Sequence, residues 1–342
     1  MDGVGPARSS MPGRPLAIVV LVYDGVRLLD VTGPLEVFDV AVDMGVGYRI
    51  TVCSPDGRDA VTSGGLRLGV SCPAAAVGEV DTLLVPGGEC LVNGPPTALL
   101  EAIRLLAPRA RRVSSVCAGS FALAAVGLLD GRRATTHWRH TGTLARQFPD
   151  VRVDEDSIYV RDGPILTSAG VSAGIDLALA LVEEDESDEL AHQIARDLVV
   201  FMRRLGAQPQ LSVPARTARP RRRPLRALCD QIAADPAADH SLAALAARAG
   251  LSVRHLTRLF RAELGCTPSS YVTSVRLEAA TALLLSGETL ATAARRSGLG
   301  SEETLRRTMR RPVGESVGAA GSASRPESPV PEATGGTRRS GR

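Results

Sequence analysis

The feature that most constrains this chain is a short pattern that occurs twice in its last third. In each copy an alanine-rich stretch ends at a glycine, Gly250 or Gly298, and a serine, Ser252 or Ser301, follows shortly after. Glycine ends helices because it adopts the left-handed backbone conformation readily. Serine begins helices because its hydroxyl accepts a hydrogen bond from an amide of the first turn. Each copy therefore predicts two helices joined by a tight turn.

The second helix of each copy carries apolar residues three to four positions apart and arginines on another face. This arrangement is typical of a helix-turn-helix motif, whose second helix enters the major groove of DNA. One copy would be weak support, because Ala-Gly-Leu is common by chance. Two copies, with glycines 48 positions apart and an apolar helical stretch (271–285) between them, are far more specific. The alternative is a plain helical bundle.

Charge divides the chain in the same place. Residues 1–205 hold 19 arginines and 26 acidic residues, whereas residues 206–342 hold 21 arginines and 11 acidic residues. The chain contains no lysine. A net charge near +10 around the repeated motifs is the expected electrostatic signature of a DNA-binding region. We therefore expect double-stranded DNA as a partner of the second part alone.

The cysteines and the apolar runs favour a cytoplasmic protein. The six cysteines include no Cys-x-x-Cys pair and no histidine at zinc-ligand spacing, so we expect neither a metal site nor a disulfide framework. No run approaches the roughly 20 apolar residues of a membrane span, and the N-terminal residues do not resemble a secretory signal. We expect no membrane partner and no cofactor.

The first part alternates strands with helices. Continuous apolar runs at 16–22, 48–53, 82–85 and 113–116 read as buried strands, with helices at 33–42, 97–106, 120–126, 173–184 and 190–205. This alternation predicts a doubly wound, flavodoxin-like α/β domain. An all-α domain with two helix-turn-helix motifs follows it.

Composition sets the domain boundaries. We predict a disordered start at 1–13, the α/β domain at 14–205 and a Pro/Arg-rich linker at 206–224. The DNA-binding domain occupies 225–317, and 318–342 form a disordered tail without apolar periodicity. The linker either adds positive charge near DNA or is only a solvated hinge.

Cys117 stands where the run 113–116 turns through small residues into a helix. Such a sharp strand-to-helix turn places a side chain at the carboxyl end of a sheet, where open α/β sheets bind ligands. The N-terminus of the following helix would lower the pKa of the Cys117 thiol. Cys117 is either a reactive, pocket-lining residue or a buried apolar one.

Several segments carry a resemblance to known families. The first domain resembles the ThiJ/PfpI family of the class I glutamine-amidotransferase-like superfamily, and residues 225–317 resemble the AraC/XylS family. The matching segments of the first domain lie at 29–38, 85–88, 115–119, 134–138 and 167–176. Together the two resemblances identify the chain as similar to GlxA-type regulators.

The ThiJ/PfpI resemblance implies a carboxylate beside the cysteine, and Asp30 and Glu36 both lie in the matching segment. It also implies that Gly87, Gly88 and the amide of Ala118 are oxyanion donors. His137 either lines the pocket or is structural. Hydratases of the family that act on isocyanides share the residue at Asp30 and the Thr-Thr-His-Trp segment. Family peptidases and amidotransferases use a histidine near the cysteine, but the residue after Cys117 is alanine.

The AraC/XylS resemblance assigns the DNA-reading residues. The first recognition helix runs from 253 to about 263, behind Ser252. On it Arg254, Thr257 and Arg258 face the groove, while Leu256, Leu259 and Phe260 face the core. The second helix follows Ser301 and offers Glu302, Glu303, Thr304 and Arg307. The two glutamates either read cytosine or are N-terminal charges that the helix dipole favours. Aromatics that the family carries near 309 and 316–317 are missing here.

These features together predict a sequence-specific transcriptional regulator, not an enzyme. Its first domain would bind an unidentified small-molecule effector near Cys117 and form a homodimer, which would bias how the DNA-binding domains address half-sites. Two alternatives remain open: a cysteine-dependent hydratase or hydrolase of a small electrophile, and a redox sensor in which Cys117 forms a sulfenic acid.

Overall fold

The computed structural model describes residues 15–200, 203–285 and 287–310. The segments predicted to be disordered, 1–13 and 318–342, and the departure near 316–317 lie outside these residues. The described chain divides into two units, which meet between Ser212 and Val213.

The first unit is an α/β domain. Its strands are β1 Leu16–Leu21, β2 Tyr48–Ser54, β3 Ala60–Val61, β4 Arg67–Leu68, β5 Cys72–Pro73, β6 Thr82–Val85, β7 Arg112–Val116, β8 Arg133–Ala134, β9 Arg152–Val153, β10 Tyr159–Asp162 and β11 Ile165–Ser168. Its helices are α1 Leu28–Asp43, α2 Thr97–Leu106, α3 Gly119–Ala125, α4 Thr141–Gln147, α5 Ala173–Asp185 and α6 Asp188–Asp197.

Seven strands form one sheet in the order β10–β11–β7–β6–β1–β2–β5. All neighbours are parallel except β10 and β11. Strand β1 lies between β2 and β6, so the order of strands reverses direction there, and ligands bind beside such a switch point. The continuous apolar run of β1 is buried because the strand is central, with helices on both faces of the sheet. This confirms the predicted flavodoxin-like fold.

Two helices differ from the prediction. Helix α1 begins at Leu28, five residues before Gly33, so Pro34 lies inside it. Its ring packs where α1 meets α5: a Cβ on Gly174 would lie 3.2 Å from Pro34 Cγ. Helix α6 ends at Asp197 instead of continuing to 205, and Val199 takes a left-handed φ of +54° that an α-helix cannot contain.

The second unit is helical, with two small cores. Its helices are α7 Val213–Arg216, α8 Arg223–Ala234, α9 Leu242–Arg248, α10 Val253–Leu264, α11 Pro268–Leu285, α12 Leu290–Arg296 and α13 Glu302–Met309. The pairs α9–α10 and α12–α13 are the two predicted helix-turn-helix motifs. Gly250 and Gly298 are left-handed in their turns, with φ of +65° and +79°.

The predicted linker, 206–224, divides between the two units. Residues up to 212 hydrogen-bond to the first unit, for example through the Gln208 carbonyl, which accepts from the Ile158 amide. From Val213 the chain forms α7, and Val213 is buried in the core of the second unit. None of the helices in the described ranges is long and apolar enough to cross a membrane.

Candidate functional site

The carboxyl ends of four strands bring the site of the first unit together. Asp30 follows β1 in the first turn of α1, Gly87 follows β6, Cys117 follows β7, and Val171 follows β11. These segments are far apart in sequence but adjacent in space, because β1, β6, β7 and β11 are consecutive in the sheet. The site lies where the strand order predicts a ligand site.

Cys117 occupies a strained turn. Its φ is +57°, a left-handed value that is uncommon for a residue other than glycine. Three hydrogen bonds to the backbone of Cys117 hold the turn. The Cys117 amide donates to Ser168 O at 3.0 Å, while the Cys117 carbonyl accepts from Ser120 Oγ at 3.2 Å and Thr136 Oγ1 at 2.9 Å. These bonds fix the direction of the side chain, as a nucleophile elbow requires.

Glycines close the site tightly. A Cβ on Gly87 would lie 2.7 Å from Asp30 Oδ2, the Ala118 amide nitrogen and Cys117 Cβ. A Cβ on Gly170 would lie 2.2 Å from Cys117 Cβ. Any side chain at these two positions would therefore displace the Cys117–Asp30 pair, and this packing leaves Cys117 only 5% exposed.

Asp30 is fully buried, and its two carboxyl oxygens differ. Oδ1 accepts a hydrogen bond from the Val171 amide at 2.8 Å. Oδ2 is enclosed beside Gly87 and Cys117, but neither group makes a hydrogen bond of good geometry with it. Burial raises the pKa of Asp30 to about 6, against the opposing effects of the Val171 amide, Arg27, the Cys117 thiol and the Gly87 amide. Asp30 therefore exchanges its proton close to neutral pH.

The thiol pKa departs from the prediction. Burial, with the Asp30 carboxylate second, raises the pKa of the Cys117 thiol to about 12, although the Ala118 amide acts in the opposite direction. The expected lowering by the helix N-terminus is outweighed because the dipole of a short helix is worth less than the loss of solvation on burial. Cys117 keeps its proton at neutral pH.

The structure brings most of the predicted residues of this site together, but not all of them. Asp30, Cys117, Gly87 and Ala118 come together, and Gly88 packs beside them, where a Cβ would lie 2.6 Å from Gly25 O. The Gly87 amide lowers the pKa of Asp30, so it faces this carboxyl of the protein itself. The resemblance instead implies a donor to an oxyanion of the substrate. The prediction for Glu36 is wrong: it is exposed, six residues after Asp30 on α1, and so on another face of the helix.

His137 lies at the rim, half-buried and stacked on Trp138 with ring centroids 5.6 Å apart. Burial and the nearby His140, Arg139 and Arg27 lower the pKa of His137 to about 4. Arg27 also lowers the pKa of Asp30 and of Cys117, which places it near both. The rim therefore combines a neutral imidazole with an exposed cation. The described residues hold no cluster of three or more metal-ligating side chains.

The first helix-turn-helix motif presents a basic face. Arg254 and Arg258 are exposed on α10 and Thr257 is half-buried, while Leu256, Leu259 and Phe260 are buried. Ser252 caps the helix by accepting from the His255 amide at 3.3 Å. The burial pattern confirms the expected core residues, while contact of the exposed residues with the DNA groove stays a prediction.

The second motif is similar, but its polar residues interact with each other. Ser301 accepts from the Thr304 amide at 3.2 Å, and its hydroxyl lies 3.0 Å from Thr304 Oγ1. Glu302 lies 3.9 Å from Arg306, one turn along α13. Glu303 and Arg307 are exposed. The two glutamates occupy the first turn, where the helix dipole favours negative charge.

Sequence reasoning missed the residues that connect the Cys117 site to the end of the first unit. Gln210 Nε2 donates to Thr136 O at 2.9 Å, and Arg204 binds Asp176 through its backbone amide at 2.9 Å and its Nε at 3.0 Å. The segment around Asp176 carried a family resemblance, which was a usable signal. Gln210 carried none, because its partner is 74 residues away.

Two family models match the chain, one in each unit. The DJ-1/PfpI family matches residues 17–184, which include the whole Cys117–Asp30 site. A helix-turn-helix domain matches residues 245–320, which include both motifs. The fold and these matches define a DJ-1/PfpI domain joined to a DNA-binding domain.

Three relatives narrow the class. The HTH-type transcriptional regulator CdhR of Pseudomonas aeruginosa is 31% identical over 237 residues, covering 69% of this chain and 70% of that protein. The regulator GlxA of Rhizobium meliloti is 29% identical over 238 residues, covering 69% and 73%. The isonitrile hydratase of Pseudomonas putida is 36% identical over 173 residues, covering 49% and 72%.

Both regulator matches are longer than either unit of this chain, so they span the two domains. The chain belongs to the family of HTH-type transcriptional regulators that join a DJ-1/PfpI domain to an AraC-type helix-turn-helix domain, the GlxA type among them. The isonitrile hydratase is shorter in its match, and it shows that the DJ-1/PfpI fold also serves enzymes.

Proposed function

We propose that this regulator binds a small-molecule effector at the Cys117–Asp30 site and reads double-stranded DNA with α10 and α13. It acts in the cytoplasm, as a homodimer formed through the first unit. The observation that carries the proposal is the duplicated helix-turn-helix motif, because a chain that only catalysed a reaction would have no use for it. Exposed Arg254 and Arg258 on α10 supply the charge and the bidentate donors that guanine accepts.

The DNA-binding part is tested with the full chain. Its affinity for duplex DNA should fall with salt, because arginines release counterions when they neutralise phosphates. Arg258→Ala should weaken binding by about 1–3 kcal/mol and relax the preference at particular bases. Arg104→Ala, a charge change on α2 of the first unit, is the control and should leave both unchanged. An equal loss on specific and random DNA would mean that Arg258 contacts phosphate only.

The state of the thiol supports sensing rather than nucleophilic catalysis. A cysteine whose pKa is raised to about 12 is almost entirely protonated at neutral pH, and the thiolate is the nucleophile. His137, with its pKa lowered to about 4, is half-buried at the rim and stacked on Trp138. Multiple turnovers on an isocyanide that disappear in Cys117→Ser would show that the first unit is a hydratase and would refute the sensor proposal.

A short segment connects the site to the DNA-binding unit. We call residues 203–212 the strap, since the chain enters α7 directly after it. One end of the strap reaches Cys117 through Gln210 Nε2, which donates to Thr136 O, while Thr136 Oγ1 donates to Cys117 O. The other end reaches Asp30 through Arg204, which donates to Ser172 Oγ at 3.1 Å, next to the Val171 amide. A change at either site residue therefore shifts the strap.

The connection from the site through the strap to the DNA-binding unit is tested by occupying the site with a probe. Iodoacetamide is attached to Cys117 at raised pH in a Cys72→Ser, Cys90→Ser background, because Cys117 is buried and its thiol pKa is raised. Peptide mass spectrometry verifies that Cys117 carries the label, and the DNA affinity of alkylated and unmodified chains is compared. We expect the affinity to change in this background and to change less when Gln210→Leu is added. Gln147→Leu is the matched control, because Gln147 Nε2 also donates to a backbone carbonyl, Val92 O at 3.2 Å, away from the strap. An equal change of DNA affinity on alkylation in the Gln210→Leu and Gln147→Leu variants would contradict a connection through the strap.

The proposed dimer surface is the C-terminal end of α1, where two apolar side chains close together in the chain, Val42 and Met44, are exposed. A contiguous apolar surface would favour association. Two-fold assembly would also present paired DNA-binding units to two half-sites. Sedimentation equilibrium of the full chain should give twice the chain mass. A Val42→Asp, Met44→Asp chain should be monomeric if this surface is the interface.

A further inference from the structure

The two helix-turn-helix motifs have separate hydrophobic cores. The first core contains α8, α9 and α10, and the second contains α12 and α13. Helix α11 contributes to both: Tyr271 and Val275 pack in the first core, and Leu277 and Ala280 pack in the second. If α11 were the only connection, bending of this one helix would change the angle between the two recognition helices.

A second connection lies midway along α11. The Arg276 guanidinium donates from Nε to Pro236 O at 2.8 Å and from Nη2 to Ala238 O at 2.9 Å. Pro236 and Ala238 belong to the loop between α8 and α9, which leads into the first motif. A planar guanidinium that binds two carbonyls holds this loop in one orientation on α11.

The turn of the second motif packs on the same loop. Gly298 has a φ of +79°, and a Cβ there would lie 2.8 Å from Ala237 Cα, Pro236 O and Arg276 Nε. Gly250 has the corresponding place in the first motif and a φ of +65°, but a Cβ there would meet nothing within 4 Å. Both turns need a left-handed residue, and only the second also needs the absence of a side chain.

We propose that residues 236–238, Arg276 and Gly298 form a junction that sets the spacing and angle between the recognition helices α10 and α13. Arg276 is then a positioning residue, which acts on DNA through the helices it orients. The junction determines the separation of the two DNA subsites that one chain reads. The inference rests on the proposed function, because it requires both helices to contact DNA.

The physical reason is preorganisation. Two linked recognition elements gain affinity only when their geometry allows both to bind at once. A rigid junction favours one subsite spacing and penalises others. A flexible one would bind the preferred spacing more weakly, because ordering the two motifs costs conformational entropy, and would tolerate altered spacing better.

The experiment uses the full chain and a duplex of about three helical turns selected by the wild type from a random pool. The two subsites are mapped by hydroxyl-radical footprinting, and one base pair is inserted between them. We expect the insertion to weaken wild-type binding about tenfold, comparable to the loss of a specific base contact. Arg276→Ala and Gly298→Ala should bind the selected duplex more weakly and lose less than about twofold on insertion.

Gly250→Ala is the matched control. It introduces the same left-handed strain as Gly298→Ala without the contact to the loop, so it should keep the wild-type sensitivity to spacing. Arg276→Lys should resemble Arg276→Ala, since an ammonium cannot reproduce the planar pair of bonds. Hydrogen exchange of the free chain supplies a measurement independent of DNA: amides of residues 297–301 should exchange faster in Arg276→Ala than in the wild type.

Wild-type spacing sensitivity in Arg276→Ala and Gly298→Ala would overturn the junction, and so would a wild type that tolerates the insertion. Unchanged exchange at 297–301 in Arg276→Ala would also overturn it. A wild type that selects no duplex at all would refute the proposed function and this inference with it.

Discussion

The buried carboxyl of Asp30 gives the sharpest quantitative prediction. Its pKa is raised from 3.8 to about 6, mainly by burial. A group whose pKa is higher in the folded state binds its proton more tightly there, so the contribution of Asp30 to folding stability is greatest below pH 4 and falls as pH rises through 6. At about 1.4 kcal/mol per pKa unit, the ionisation of Asp30 removes about 3 kcal/mol of stability.

The assay is urea unfolding of the full chain between pH 4 and 7.5, followed through the transition of the first unit. Asp30→Asn keeps the size of the side chain and an oxygen for the Val171 amide, but it cannot ionise. The wild type should lose about 2.5 kcal/mol relative to Asp30→Asn between the ends of this range, because part of the full effect has already occurred at pH 4. Glu36→Gln, a change at an exposed carboxylate of the same helix, should follow the wild type at every pH.

A stability difference between wild type and Asp30→Asn that stays constant with pH would refute the reasoning. It would mean that the carboxyl keeps an ordinary pKa despite its burial, through stronger hydrogen bonding of its charged form than the geometry indicates. A difference that grows in the opposite direction, with the wild type gaining stability as pH rises, would place a cation closer to Oδ2 than Arg27.

Three further predictions follow from the same contacts. Cys117 should react with iodoacetamide at pH 8 more slowly than the exposed Cys90, and faster in Asp30→Asn than in the wild type, because the Asp30 charge helps to raise the thiol pKa; peptide mass spectrometry gives both rates. Gly119→Ala should destabilise the first unit by more than about 3 kcal/mol in urea unfolding, since its Cβ would lie 2.1 Å from Val85 O. Gly142→Ala on α4 should be neutral or stabilising in the same assay. Ser252→Ala and Ser301→Ala should each cost about 1 kcal/mol of stability in the second unit, because each removes an N-cap, while Ser269→Ala on α11 should cost less.

Local signals made much of the fold predictable. Helix 97–106 was predicted with the bounds that the structure shows, because a Pro-Pro pair precedes it and an apolar face runs along it. The recognition helices were predictable for the same reason: the turn glycine and the serine cap act within a few residues of each other. Such signals need no knowledge of the tertiary structure.

The properties of the site were less predictable because they depend on distant segments. The pKa of Cys117 follows from burial under Gly170, a residue on a different strand end 53 positions later. The choice between Asp30 and Glu36 depends on where α1 begins, and Pro34 gave a misleading start because it packs against α5 inside the helix. In both cases the deciding contact is between elements, where sequence periodicity carries no information.

The two buried groups at the site together suggest how the proposed effector would act. Cys117 stays protonated, whereas Asp30 titrates near neutrality and has one oxygen without a hydrogen bond. Oδ2 is buried, so a ligand must open the packing around Gly87 to reach it. A ligand that did so and donated a hydrogen bond to Oδ2 would favour the ionised carboxylate and release a proton on binding. The ionised carboxylate in turn binds the Val171 amide more strongly, because a hydrogen bond to a charged acceptor is stronger than one to a neutral acceptor. Val171 precedes Ser172, to which the strap is bonded through Arg204, so under the proposed function a change in the protonation of Asp30 would be transmitted to the strap. Effector affinity should therefore depend on pH, with tighter binding above pH 6 than below it.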